Sequence, residues 1–197
     1  MISTLALVFV VAAQQQRDPA ERMLELATAD QPLVTSGVVD APVKEVWRAW
    51  TEAKEIKKWM VAEAEFELKI GGKMKTAYAA GTDLNGPNAI ENTVIAYDPE
   101  RMLTIKVSKA PEGFPFKEAI AKCWTVVYFH PVEGNKTQVV VRMLGYDHTE
   151  DSQKMKGHFK AGNQYTIDKL VEHFAGKGAG GMEQGARSKE QEHDAGR

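Results

Sequence analysis

Between Glu63 and Leu144 apolar residues recur at every second position, in short runs cut by turn residues. Ala64, Phe66, Leu68 and Ile70 alternate with Glu63, Glu65, Glu67 and Lys69, the pattern of a strand with one buried and one wet face. Gly71-Gly72 follows as a tight turn, because both central residues of such a turn favour positive φ. Strands are expected at 73–79, 89–97, 102–107, 123–130 and 137–144, separated by Asn85-Gly86, Asp98-Pro99-Glu100, a loop with Pro111, Gly113 and Pro115, and Pro131–Asn135. Most of these connections are too short for the crossovers that parallel strands need, so the run folds as an antiparallel meander.

Helices flank this run. Leu33–Val39 reads as a first strand, and Asp40 and Pro42 mark a helix start, Asp40 as the cap. Val43, Val46, Trp47 and Trp50 fall at i, i+3, i+4 and i+7, one helical face. Ile56, Trp59 and Met60 continue on a second short helix. At the far end Thr149 is placed to cap a long helix, with Glu150 and Asp151 where the helix dipole favours negative charge. Met155, Phe159, Ile167, Leu170, Val171 and Phe174 form its apolar side, opposite Lys154, Gln164, Asp168 and Glu172. Gly176 is the expected stop. At 150–175 this helix is about 39 Å long.

The termini differ in character. Leu5–Ala13 is too short to span a bilayer but matches the apolar core of a secretory leader, with Val11-Ala12-Ala13 as small residues at the cleavage position. Residues 1–13 are therefore read as a leader, 14–32 as a polar linker, 33–175 as the folded domain and 176–197 as a flexible, Gly-rich charged tail. The protein is expected to be secreted or periplasmic if the leader acts as one, and otherwise cytoplasmic. The net charge of −2 argues against a nucleic-acid partner, which calls for a basic stripe. With 43% hydrophobic residues the chain has enough apolar surface to fold, and its single cysteine excludes an internal disulfide or a thiolate zinc cage.

Three motifs carry a resemblance over about 36–174. They are Val39-Asp40-Ala41-Pro42-Val43-Lys44-Glu45-Val46-Trp47-Arg48-Ala49-Trp50-Thr51, then Lys57-Lys58-Trp59-Met60 with the later Gly71-Gly72, and Tyr97-Asp98-Pro99-Glu100-Arg101-Met102-Leu103. With the element order, they make the chain resemble the helix-grip superfamily (START-like, SRPBCC, birch-pollen-allergen-like). The branch it looks most like is the family of homologues of the activator of the heat-shock chaperone ATPase. The resemblance implies an α+β helix-grip fold: a curved, antiparallel, seven-stranded sheet wrapped around the long C-terminal helix, with two short helices after the first strand. A hydrophobic cavity commonly lies between sheet and helix. Members bind lipids, sterols, hormones or polyketides; a minority are cyclases or other enzymes, and some are chaperone partners. The closing helix departs from the family, which often carries Gly-Trp near its middle, where this chain has Gly162-Asn163-Gln164-Tyr165.

The side chains themselves offer little catalysis. None of the five histidines has metal-ligand spacing, and Asp147-His148-x-Glu150-Asp151 reads as a solvated helix start. No Gly-rich phosphate cradle joins a strand to a helix. Cys123, within an apolar strand, reads as a buried inert thiol, and Trp47 and Trp50 as core. No catalytic residue, metal ligand or cofactor is assigned. The expected function is non-catalytic binding of a small hydrophobic ligand, with a chaperone-regulating module and a cyclase or aromatase-like enzyme as alternatives. A chaperone partner is disfavoured because an exported protein would not meet a cytosolic chaperone. On the sheet, Phe66, Tyr78, Ile105, Trp124 and Tyr128 are expected to line the cavity; on the helix, Phe159 and Tyr165. The parity of 123–130 stays open: either Trp124, Val126, Tyr128 and His130 face inward, or Cys123, Val127 and Phe129 do. Arg142 is expected to face water.

Overall fold

The computed structural model describes residues 28–194, with side chains over 28–176. The leader assigned to 1–13 and most of the linker lie outside the described residues. Where the linker ends it is tied down: Ala29 is buried, its carbonyl accepts from Gln153 Nε2 at 3.0 Å, and Lys156 Nζ donates to the Thr28 carbonyl at 2.9 Å.

Seven antiparallel strands form one sheet: β1 (Leu33–Val39), β2 (Glu63–Phe66), β3 (Lys73–Ala77), β4 (Ile90–Asp98), β5 (Met102–Lys109), β6 (Trp124–Val132) and β7 (Lys136–Leu144). Their order is β1-β7-β6-β5-β4-β3-β2, so the meander runs from β2 to β7 and β1 closes on β7. The described residues hold four helices: α1 (Val43–Thr51), α2 (Ala53–Ile56), α3 (Lys117–Lys122) and α4 (Glu150–Asp194). The sheet curls around α4, which is the helix-grip arrangement. No helix among the described residues is long and apolar enough to cross a membrane.

Several boundaries depart from the sequence reading. Asp40 does not cap α1: Pro42 stands at the N-cap with no side-chain bond, and Asp40 pairs with Lys136 at 3.6 Å. β2 ends at Phe66; Glu67 N still donates to the Lys73 carbonyl at 2.9 Å, and the chain then turns at Lys69–Gly72, where Gly72 N donates to the Lys69 carbonyl at 2.8 Å. Gly71 N donates to the Val94 carbonyl at 2.9 Å and Val94 N to the Gly72 carbonyl at 2.9 Å, so the glycines meet β4 instead of turning a two-residue hairpin. Gly71 takes φ +79°, where a side chain would be strained. Helix α3 lies in the stretch read as a loop; six residues are too few to show a helical period, yet it buries Ala119 and Ile120. Helix α4 runs past Gly176 to Asp194, since glycine only weakens a helix by about 1 kcal/mol and does not forbid it. Thr149 does start α4, its carbonyl accepting from Gln153 N at 3.1 Å, but its hydroxyl turns back to the Asp147 carboxylate.

Two apolar clusters anchor the helix at separate points. Ile167, Leu170 and Phe174 pack with Val39, Trp47, Leu103, Val127 and Phe129. Toward the start of α4, Met155 packs with Leu33, Ile120, Cys123 and Met143. Gly37 lets β1 approach the helix closely: a Cβ there would stand 2.5 Å from Ile167 Cγ2. Thr137, fully buried on β7, donates to the Ala41 carbonyl at 2.8 Å and holds the corner between β1 and α1.

Candidate functional site

Between the two anchor points the apolar stripe of α4 is interrupted. Met155 and Phe159 are followed one turn later by Asn163, then Thr166, before Ile167 resumes it. The interruption faces a cavity of about 400 Å³ between helix and sheet, a size that suits a small molecule. His158, Phe159, Asn163 and Thr166 form its helix side.

The floor follows from strand register, because directly paired residues of an antiparallel sheet point to the same face. Ile105 pairs with Thr125 and Thr125 with Met143, and all three line the cavity. Asn92 pairs with both Met74 and Val107, giving a second lining row. Thr76 opposite Ile90 gives a third. One side is walled by Trp50, Met60 and Val61 from the α1–α2 region, another by Ala110, Pro111, Phe114 and Ile120 from the loop before α3 and α3 itself. Phe114 meets Phe159 at 6.3 Å between ring centroids and His158 at 6.4 Å. His158, Asn88 and Tyr78 are exposed and stand at the rim. The lining contains no Asp, Glu, Lys or Arg.

Of the residues expected at the cavity, Tyr78, Ile105 and Phe159 line it. The other four stand elsewhere. Phe66 packs into the core beside Ile56, Val61 and Met74. Trp124 and Tyr128 lie on the convex face of β6, because Thr125, Val127 and Phe129 take the inner one; Trp124 is exposed, and Tyr128 stacks on His130 at 5.9 Å. Tyr165 is on the outer side of α4, 62% exposed, with Lys169 Nζ 5.6 Å from its ring centre. Arg142 is exposed on the convex face, paired with Val126.

Sequence reasoning missed Trp50, Thr125, Asn163 and Thr166. Trp50 is 5% exposed and does pack on Trp59 and Phe129, as a core residue would, yet one part of it reaches the cavity. The missed signal for Asn163 and Thr166 was the polar gap in an otherwise apolar stripe.

Nothing in the surroundings activates a nucleophile. Burial pushes the Cys123 thiol up to about 11, with the Asp147 charge adding to it. Asp147 itself is held well below the usual carboxylate range, first by the hydrogen bond from Lys122 at 2.8 Å and then by the Thr149 hydroxyl and amide N–H. That cluster is thus a structural clasp between α3 and the start of α4.

A curled seven-stranded sheet, a long helix in its grip and a cavity between them define a helix-grip domain. The chain belongs to the family described as Activator of Hsp90 ATPase homolog 1-like protein, whose profile matches residues 40–175, more than half its length. No curated relative matches it by sequence. Solved structures share the fold. The Aha1 dimer of Colwellia psychrerythraea is 15% identical, with 73% of this chain and 95% of that one covered and a TM-score of 0.57. A Mesorhizobium loti protein is 19% identical, covering 73% and 96%, at 0.56. CalU16 of Micromonospora echinospora is 22% identical, covering 73% and 75%, at 0.53.

Proposed function

We propose that the protein binds a small hydrophobic ligand, without catalysis, in the cavity between the sheet and α4. Fold and family support a module of the ligand-binding or chaperone-regulating kind. The observation that favours the first is the cavity itself: about 400 Å³, walled mostly by aliphatic and aromatic side chains and free of Asp, Glu, Lys and Arg. Burying an apolar molecule there would gain about 25 cal/mol per Å² of apolar surface removed from water. A group able to move protons within that lining is lacking apart from His158 and Tyr78 at the rim, which supports a binding role over a cyclase-like one.

The same reading includes export, with residues 1–13 removed as a leader; N-terminal sequencing of protein from its native host tests it, with a start near Gln14 expected and an intact Met1 counting against it. The binding function is tested by titrating the purified full chain with neutral phenylnaphthylamine and then identifying organic-extractable molecules that copurify. Saturable fluorescence enhancement with one site per chain is expected. No enhancement, together with capture of a chaperone ATPase by the immobilised protein, would favour the regulatory module.

A further inference from the structure

Two lining residues of the cavity carry buried N–H groups with no protein acceptor: Trp50 at Nε1 and Asn163 at Nδ2. The contrast with Trp59 is informative. Its indole N–H, also buried, donates to the Ala49 carbonyl at 2.9 Å, so this part of the fold does satisfy a tryptophan where it can. Buried donors are nearly always paired in folded proteins, and an orphan calls for an explanation. Thr166, the polar neighbour of Asn163 on the same face, needs none, because its hydroxyl donates to the Gly162 carbonyl at 2.9 Å.

An indole N–H can only donate, so its complement is an acceptor. An ionised acceptor is disfavoured here, since the lining offers no Lys or Arg to offset the cost of burying its charge. We infer that the cavity selects neutral, largely apolar molecules bearing a carbonyl-type oxygen, which accepts from Trp50 Nε1 and Asn163 Nδ2. This rests on the ligand-binding reading above and narrows its ligand class: ketones, esters or lactones in preference to hydrocarbons and free fatty acids.

The test displaces phenylnaphthylamine from the full chain with undecanone, undecane and undecanoate, which share a carbon count. Undecanone is expected to displace it at a concentration at least about fivefold lower than either of the others, the usual worth of one or two buried hydrogen bonds. Asn163→Leu keeps the branching of the side chain and removes the donor; it should reduce the ketone's advantage over the alkane and leave alkane binding within about twofold. Trp50→Phe should act in the same direction. Should that core variant fail to fold, Asn163→Leu, on a helix face that is only partly buried, decides alone. Equal displacement by ketone and alkane, an Asn163→Leu variant that keeps the full ketone preference, or tightest binding of undecanoate would each overturn this inference and leave the binding function standing. Displacement by none of the three would also overturn it, whereas only the absence of saturable probe binding in the first place would overturn the binding function as well.

Discussion

Phe159 and Phe129 allow a direct separation of cavity wall from core. Phe129 is 2% exposed and meets Trp47 edge-on at 5.4 Å and Trp50 at 6.4 Å. Its truncation removes contacts on every side, so Phe129→Ala should cost about 3–5 kcal/mol. Phe159 is only partly buried: Phe114 and the Ile120 cluster back it on one side, and the cavity takes the other. Fewer contacts are deleted and no new closed void is made, so Phe159→Ala should cost about 2 kcal/mol. For a domain of this size that is a fall in Tm of about 4–8 °C, measured by differential scanning calorimetry. Phenylnaphthylamine affinity is read on the same samples below the transition. Phe159→Ala should change it severalfold, and Phe129→Ala should leave it nearly unchanged where the variant is folded. A loss of 3–5 kcal/mol at Phe159 with unaltered probe affinity would refute the assignment of this residue to the wall.

Three further outcomes are expected. Gly37→Ala should destabilise by about 1–3 kcal/mol in urea titrations, because the β-branched Ile167 cannot swing its Cγ2 away from the new methyl without shifting α4. Asp147 has a folded pKa below its unfolded one, so its stabilisation is complete above the ordinary carboxylate value of about 4 and fades as pH falls from there toward the folded value. The Tm gap between the parent and Asp147→Asn should therefore be largest near pH 7, above that window, and smaller near pH 3, within it. Cys123 should react slowly with iodoacetamide at pH 8 in the native protein and rapidly in guanidinium, since a thiol raised to about 11 by burial holds little thiolate.

How far the sequence carries can be seen strand by strand. β7 alternates cleanly: Val139, Val141 and Met143 are buried and Arg142 between them is exposed, so its inner face is legible from polarity alone. β6 is different. Val126 is nearly as buried as Val127 although the two point to opposite faces, and a central strand apolar on both sides hides its parity. Register resolves it: Val126 pairs with Arg142, so the charge on one strand marks the outer face of the next. That pairing is not visible until both strands are aligned. Trp124 and Tyr128 were expected at the cavity because large aromatic side chains attract the assignment, whereas the inner position beside them is held by Thr125. On α4 the periodicity locates the buried face, and Phe159 with it, but apolarity alone does not mark the site. The cavity instead lies where that face turns polar, at Asn163 and Thr166, because a helix beside an open space has no neighbouring apolar side chain to pack against there.

The pairing of β1 with β7 also has a consequence in time. Leu33 lies opposite Met143 and Val39 opposite Thr137, so the first strand of the domain finds its partner about a hundred residues later. A ribosome adding roughly 5–20 residues per second leaves β1 outside the exit tunnel for roughly 5–20 s before β7 follows it. The meander from β2 to β7 forms between neighbours in sequence and can assemble as it emerges. β1 cannot, and through that interval its Val34, Val38 and Val39 are an unpaired β-branched edge open to wrong partners. Nascent chains halted before residue 137 should be protease-sensitive at 33–39 and protected there once β7 has cleared the tunnel. The first strand of the sheet to be made is thus the last to be placed.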